Sequence, residues 1–420
     1  MNQKRKRQFF DSFQFIFRWS LFLICIAIVV GSVSAFFLIS LDSVTKLRES
    51  HTYVLYFLPL VGFFIGWVYH QFGSKASKGN NLLLEEIHSP SSVIPIRMAP
   101  LVLFGTLLTH FFGGSAGREG TAVQMGGSIA HQIVRFYRLS LKEQQTLIIL
   151  GMSAGFSAVF GTPIAAAIFS IEVIQIGAYR WKLFLPSLLI AWISHEVCLY
   201  WKVSHSVFPN VTFEFESILI LVLFLLAIAS GFVAKLFTWL LHSISKYSQT
   251  WIVYPPFRPF VGGIILVVFF LSGVHLDYFG LGVKTIQNAF TGFLPYESFF
   301  WKLILTVITI GFGFKGGEVT PLFFIGASLG NLFAILDPVH LTLFVSVGFI
   351  SVFSGATNTP LACAVMGMEL FGFQSGVVFF IATQIAYIMS GHVSIYSSQI
   401  ITKKKWFGSS KDIGKKISDL

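Results

Sequence analysis

Charge is what this chain has least of: 11% of its 420 residues are Asp, Glu, Lys or Arg, against 55% that are hydrophobic. No soluble domain of this length could cover its surface with so few charges, which excludes a water-soluble protein. Polar alternation is missing as well. The runs 21–39, 218–229 and 260–271 hold only apolar residues and a few small glycines or serines. A transmembrane barrel needs polar side chains at alternate positions toward its lumen, so these runs read as helices in a bilayer. Cysteine is scarce too. Cys25, Cys198 and Cys363 all lie in apolar sequence, which excludes a disulfide framework or a cysteine zinc site and leaves them as small packing residues.

The charge that is present gathers at the ends. A net charge of +11 comes largely from Lys4, Arg5, Lys6 and Arg7 and from Lys403, Lys404, Lys405, Lys411, Lys415 and Lys416. In a membrane protein such clusters mark the cytoplasmic side rather than a nucleic-acid surface, so both termini are expected in the cytoplasm and the full crossings are even in number. The first apolar run is too long for a secretory signal and lacks a small-residue cleavage site. Only a short basic tail follows the last apolar segment, which leaves no cytosolic regulatory domain in this reading.

A polar stretch at 202–216, with His205, Pro209 and Asn210, divides the chain into halves that match in detail. Gly117-Arg118-Glu119-Gly120-Thr121 returns in altered form as Lys315-Gly316-Gly317-Glu318-Val319-Thr320-Pro321, which pairs Glu119 with Glu318, 199 residues apart. Thr162-Pro163 with Glu172 returns as Thr359-Pro360 with Glu369, 197 residues apart. Two blocks at nearly one offset imply an internal duplication. The expected organisation is a basic cytoplasmic segment (1–17), a first transmembrane repeat (18–202), a linker (203–215), a second repeat (216–391), and a final pore-lining segment with a basic tail (392–420). Segments 81–87 and 281–289 are too short to cross and read as half-helices buried in protein. The spacing of Gly151, Gly155 and Gly161, and of Gly326 and Gly330, suits close helix packing.

Glycine- or proline-interrupted helices at matching places in two repeats are where transporters hold ions. Glu119 and Glu318 are costly at membrane depth, and a functional role is the default reading for such groups. Thr121 and Thr320 fall in the first turn after each break, and Pro321 suits a helix start. Two helix N-termini aimed at one place would bind an anion through free N–H groups and would repel a cation, which disfavours a cation/proton antiporter. Glu119 at such a start can hold the anion's place when ionised and leave when protonated. Arg118, adjacent in sequence, is expected to point elsewhere. His110 and His131 read as interfacial or hydrogen-bonded residues, Glu172 and Glu369 as interfacial carboxylates, and Lys315 as a vestibule cation or a snorkelling end residue. The phenylalanines, 48 in all, show no spacing that singles out a subset. A membrane-embedded enzyme, with Glu119 and a histidine as acid and base, lacks a nucleophile, a metal-ligand pair or a phosphate loop.

At these residues the chain resembles a known family. Gly117-Arg118-Glu119-Gly120-Thr121 is similar to the GREGP gating-glutamate motif of the CLC anion channels and anion/proton antiporters, and Gly317-Glu318-Val319-Thr320-Pro321 to their GxFxP motif. The resemblance covers nearly the whole chain. It implies an all-helical fold of two inverted repeats with re-entrant half-helices, a homodimer in the lipid bilayer with a pathway in each subunit, no enzyme activity, and neither metal nor cofactor. Where chloride-handling members carry GSGIP this chain reads Ser77-Lys78-Gly79-Asn80-Asn81-Leu82, with Asn80 the candidate for the anion-contacting serine. Val319 stands where a bulky aromatic is expected, and Glu318 replaces an apolar residue. These departures resemble the fluoride/proton antiporter clade, and Tyr396 matches the tyrosine that closes the path toward the cytoplasm. Val173 follows Glu172 where chloride/proton antiporters keep a second glutamate, a replacement seen in chloride channels and compatible with the fluoride clade.

The resemblance thus implies proton-driven fluoride export through the cytoplasmic membrane, with a chloride channel or chloride/proton antiporter on the same fold as the alternative. Glu119 and Glu318 are the candidate gate and proton-transfer groups. Asn80, Gly120, Thr121, Val319, Thr320 and Tyr396 are the candidate anion-binding residues. Fluoride is small and strongly hydrated, so direct donors must replace its water shell; the Asn80 amide, Thr320 hydroxyl and Tyr396 phenol form such a set.

Overall fold

A computed structural model describes the backbone of residues 3–213 and 216–420, and side chains from residue 14 onward apart from 214 and 215. Residues 1 and 2 of the expected N-terminal segment and 214 and 215 of the expected linker lie outside the described residues, as do the side chains of Lys4, Arg5, Lys6 and Arg7. Among the described residues the chain forms sixteen α-helices, eight on each side of the linker. The first half holds α1 (Gln3–Ser50), α2 (Leu58–Val68), α3 (Asn80–His88) and α4 (Met98–Phe111). It continues with α5 (Glu119–His131), α6 (Leu141–Phe160), α7 (Pro163–Glu172) and α8 (Phe184–Tyr200). The second half holds α9 (Ser217–Trp251), α10 (Phe257–Leu271), α11 (Val283–Ala289) and α12 (Ser298–Gly311). It ends with α13 (Val319–Phe333), α14 (Leu341–Thr357), α15 (Pro360–Phe371) and α16 (Gly376–Ser390).

Each helix has a counterpart eight places later, and most of the packing pairs recur; α3 on α6 is one that does not. α1 packs on α4, α5, α6 and α8, and α9 packs on α12, α13, α14 and α16. Equivalent helices also meet each other across the halves, α2 with α10, α5 with α13 and α7 with α15, as a two-fold relation between repeats requires. The duplication shows in local chemistry. α6 ends at Gly161 (φ 82°) and α14 at Asn358 (φ 62°), both left-handed, and each is followed by Thr-Pro that starts the next helix.

Among the described residues seven stretches are long and apolar enough to cross a membrane. Others are short: α3 has 9 residues and α11 has 7, about 14 and 10 Å against a bilayer core of about 30 Å. These are the half-helices the short segments imply. Their backbone ends are tolerated at depth because protein surrounds them. Close packing rests on glycine. A Cβ on Gly126 would lie 2.0 Å from Gly151 O, and one on Gly326 would lie 2.2 Å from Gly348 O, so α5 touches α6 and α13 touches α14 backbone to backbone. Gly161 is different from the packing role read in sequence: it ends α6. One subset of aromatics does stand out, a buried stack beside α13 in which Phe323 lies 4.1 Å from Phe349 and packs on Phe160 and Phe353.

The tail is folded. Ile400–Ile401 pairs in parallel with Gln175–Ile176 just after α7, making two short strands, β2 and β1.

Candidate functional site

The two breaks form one structure. Gly117 N–H donates to Gly317 O at 2.5 Å and Gly317 N–H donates to Gly117 O at 2.7 Å, an exchange between equivalent residues that lies on the two-fold axis relating the repeats. Neither glycine has room for a side chain. A Cβ on Gly117 would come within 2.9 Å of Thr320 N, and one on Gly317 within 2.8 Å of Gly120 N. The close approach brings the starts of α5 and α13 together, and of the N–H groups there that lack an intrahelical partner, that of Thr320 is taken by the Glu119 carboxylate.

The glycine pair also corrects the register of the repeat. It sets an offset of 200 residues, and the helix starts at Glu119 and Val319 agree with it. Glu119 is therefore equivalent to Val319, and Glu318 to Arg118; the offset of 199 that pairs the two glutamates is one residue off.

Glu119 is 1% exposed and reaches from α5 to the start of α13. Its Oε2 accepts from Thr320 Oγ1 at 2.6 Å, from Thr320 N at 3.1 Å and from Arg118 N at 3.3 Å. Charge-assisted bonds of this type are the strong ones. Its Oε1 is buried without a hydrogen-bond partner. Arg118 does not point away: its Nε lies 3.6 Å from that oxygen, an ion pair without a hydrogen bond. In chemical terms the Oε2 oxygen takes up both the hydroxyl and the N–H donor of Thr320.

The remaining candidates divide around this point. Asn80 starts α3, and its Nδ2 lies 3.2 Å from where a Gly120 Cβ would be; Glu318 Oε2 lies 3.7 Å from the same position. Asn80 Oδ1 is buried and unpartnered. Val319 is buried in the first turn of α13. Tyr396 is 4% exposed, with its N–H bonded to Ser394 Oγ at 3.0 Å. The Thr121 hydroxyl instead meets Thr106 Oγ1 on α4 at 2.8 Å, so of the two threonines only Thr320 touches the glutamate.

Two cavities approach the Glu119–Thr320 contact. The first, about 740 Å³, is lined by Asn80, Gln124, Lys315, Glu318 and Tyr396 among others. The second, about 680 Å³, has Arg48 and Arg118 in its wall. Glu119 and Thr320 line neither, so they sit in the barrier between. The cavities open at opposite ends of the crossing stretch Thr52–Lys78: Thr52 and Leu55 line the second, Ser77 and Lys78 the first. The C-terminal part of α1 lines the second cavity and that of α9 lines the first, so the repeats run in opposite senses.

Both cavities favour anions by charge. The second carries five basic and three acidic side chains, of which Lys46 pairs with Asp42 and Lys284 with Glu49. Behind it the wholly buried Lys302 donates to Gly280 O at 2.6 Å and Tyr278 O at 3.1 Å. Lys315 lines the first cavity with its Nζ 4.1 Å from the Tyr69 ring centre, as a vestibule cation rather than a snorkelling one. Sequence reasoning missed Arg48, Gln124 and Lys302. Lys302 was findable, being the single charge in the apolar helix 298–311.

Other expectations are corrected. Glu172 and Glu369, read in sequence as interfacial carboxylates, have a part that reading does not include: each caps the opposite repeat's helix. Glu172 accepts from Leu361 N and Ala362 N at 3.1 and 2.8 Å, and Glu369 from Ile164 N and Ala165 N at 3.0 and 2.7 Å. His131 Nδ1 accepts from Ile94 N at 3.1 Å, as a hydrogen-bonded histidine should, but the buried His110 ring has no such partner. Val173 is buried and no carboxylate stands in its place.

Residues 61–391 match the family model described as voltage gated chloride channel. A chloride/fluoride channel protein of Pseudomonas syringae pv. tomato is 40% identical over 416 residues, covering 96% of this chain and 91% of the relative. A crystal structure of a CLC-type fluoride/proton antiporter superposes with a TM-score of 0.88 at 35% identity, over 92% of this chain and 98% of that one. A slow cyanobacterial Cl⁻/H⁺ antiporter shares the fold at 18% identity, with a TM-score of 0.78 over 89% of this chain and 94% of that one. Paired breaks, a single buried glutamate between two cavities, and these matches agree: the chain belongs to the voltage-gated chloride channel family, the CLC proteins.

Proposed function

We propose that this protein exchanges fluoride for protons and exports fluoride across the cytoplasmic membrane, with Glu119 as the protonatable gate. The observation that carries the reading is the contact of Glu119 Oε2 with the Thr320 hydroxyl and N–H, between two cavities that open at opposite ends of a crossing. While ionised, the carboxylate holds the donors an anion needs. Once protonated it loses the charge that these donors favour, leaves Thr320, and fluoride takes the vacated position. The proton thus travels on the group that the anion displaces. Asn80, Gly120, Val319 and Tyr396 line the route toward the first cavity, Thr121 steadies α5 through Thr106, and Glu318 is a second protonatable group beside that route.

The 35% identical fluoride/proton antiporter supports the choice of ions. So does the donor set, because fluoride is a strong acceptor that must exchange its water for direct N–H and O–H bonds. The basic terminal clusters support an orientation with the first cavity and both chain ends on the cytoplasmic side, and the protein is expected to work as a homodimer with a pathway in each subunit. Val173 favours a second reading: without a carboxylate in its place, an anion channel on the same fold is the rival, with chloride as the rival ion.

Efflux from proteoliposomes loaded with fluoride or chloride, with proton movement recorded alongside, tests both points. Fluoride leaving faster than chloride with opposed proton flux is expected. Chloride leaving as fast as fluoride overturns the ion assignment, and fluoride flux without proton flux overturns the antiporter.

A further inference from the structure

The segment after α16 reads in sequence as a pore-lining piece followed by a free basic tail, but one of its lysines is not a surface charge. Lys405 is 3% exposed, while Lys403, Lys404 and Lys411 are exposed. Its ammonium donates to Asn358 Oδ1 and, at 3.0 Å, to Ser390 Oγ, and lies 4.0 Å from the centre of the Tyr387 ring. Burying a lysine is costly unless its donors are used. Burial pushes its pKa well down, yet the neutral amine keeps two N–H groups and can still make both bonds.

Asn358 passes the hold onward. Its Nδ2 donates to Val393 O at 2.8 Å and to Gln399 Oε1 at 3.0 Å, on either side of Tyr396. Gln399 Nε2 in turn donates to Val173 O at 2.7 Å and Thr357 O at 2.9 Å, the ends of α7 and α14. Beyond β2 the tail folds back over the same segment: Ile417 N–H donates to Gln399 O at 3.0 Å and Ser418 N–H to Ser397 O at 2.9 Å. His392 closes the loop, accepting from Lys405 N at 3.1 Å through Nε2 and meeting Asp412 Oδ2 at 2.8 Å through Nδ1; that bond holds the Asp412 carboxyl below its ordinary range. Ser398 N–H bonds Asn81 Oδ1 at 3.1 Å, tying the Tyr396 segment to the helix that begins with Asn80.

We infer that the tail is a strap that fixes the place of Tyr396 at the inner cavity, and that Lys405 is the positioning residue that ties it. The inference rests on the reading of Tyr396 as the inner closure of the pathway. A strap of this kind matters because an exchanger must not let the anion pass while the proton-carrying gate is open. Loosening Tyr396 would let fluoride slip through without a proton.

The test is a double-mutant cycle in proteoliposomes on Lys405→Met, Tyr396→Ala and the double variant, reading the ratio of fluoride to proton movement. Thermal melting and elution profile check the fold of each. Lys405→Met is expected to raise uncoupled fluoride movement at least threefold, Tyr396→Ala to raise it at least as much, and the double variant to match Tyr396→Ala alone. An unchanged ratio in Lys405→Met beside a changed one in Tyr396→Ala overturns the strap and leaves the reading of Tyr396 standing. Additive effects in the double variant also overturn it, since Lys405 then acts by another route. An unchanged ratio in Tyr396→Ala overturns the reading of Tyr396 and the strap with it. If Lys405→Met does not fold, Asn358→Gly takes its place under the same criteria, because glycine keeps the left-handed backbone while removing the amide.

Discussion

The starts of α5 and α13 have the same backbone and opposite chemistry. Gly117 and Gly317 exchange hydrogen bonds as equivalents, yet the next residues are Arg118 and Glu318, and the ones after those Glu119 and Val319. Because the repeats are inverted, Arg118 lines the second cavity and Glu318 the first. Duplication thus supplies a symmetric cradle of N–H groups, and substitution makes it directional. Only one side carries a carboxylate that reaches across, and only the other offers Thr320 to receive it. Had both helices carried a glutamate at the first position, two carboxylates would compete for one axis, and like charges at short range do not both ionise.

The sharpest way to break the comparison is to remove the reaching carboxylate. Glu119→Gln is expected to abolish proton-linked exchange while anion movement persists, and Glu318→Gln to leave coupling in place at reduced rate. Proton flux against a fluoride gradient in both variants checks this. If Glu119→Gln still pumps protons and Glu318→Gln does not, the roles of the two breaks are reversed. Next in size is the shared frame. A Cβ on Gly317 would sit 2.8 Å from Gly120 N and one on Gly117 2.9 Å from Thr320 N, so alanine at either place is expected to force the helix starts apart and lower transport more than tenfold. Equal losses from the two substitutions support a symmetric frame; a loss at only one would show that the glycines are not equivalent in function.

Much of this was legible in the sequence because helix breaks are written in glycine and proline. Gly117, Gly317, Pro163 and Pro360 gave the helix starts, and apolar length gave the helices. The register of the first repeat block was not legible. Glu119 and Glu318 look alike, and the Gly117–Gly317 hydrogen bonds and the helix starts at Glu119 and Val319 reveal that they occupy neighbouring rather than equivalent positions. The capping by Glu172 and Glu369 was hidden for a similar reason: the partner N–H groups belong to the other repeat, about 200 residues away, and nothing local announces them. Lys405 was hidden by its neighbours, since a run of three lysines reads as one basic surface patch until the fold separates them.

A smaller effect is expected at the receiving side of the gate. Thr320→Val keeps the backbone N–H at 3.1 Å and removes the hydroxyl at 2.6 Å from the Glu119 carboxylate. A hydrogen bond to a charged group contributes about 1.5 to 3 kcal/mol, so the ionised gate should be held roughly 10- to 100-fold less tightly by the arithmetic of about 1.4 kcal/mol per tenfold. Exchange should then persist with looser coupling, because a gate held less tightly gives way to fluoride without taking up a proton. A threonine-to-valine change at the other break, Thr121→Val, one residue past the Gly120 that is equivalent to Thr320, touches only Thr106 and should leave the ratio of fluoride to proton movement where it is. Fluoride efflux recorded with proton flux separates the two variants, and equal changes in their ratio would mean that Thr121 also holds the gate.

The smallest effect should come from the pair that keeps its symmetry. Glu172 and Glu369 each accept two N–H bonds from the opposite repeat at nearly equal distances. A glutamine retains one accepting oxygen, so Glu172→Gln and Glu369→Gln are each expected to cost about 1 kcal/mol, the usual scale for a lost helix cap. Melting temperatures in detergent should fall by similar amounts for the two, with proton coupling unchanged. A loss of coupling in Glu172→Gln alone would break the symmetry here as well, and would extend the directional chemistry of α5 and α13 to α7 and α15.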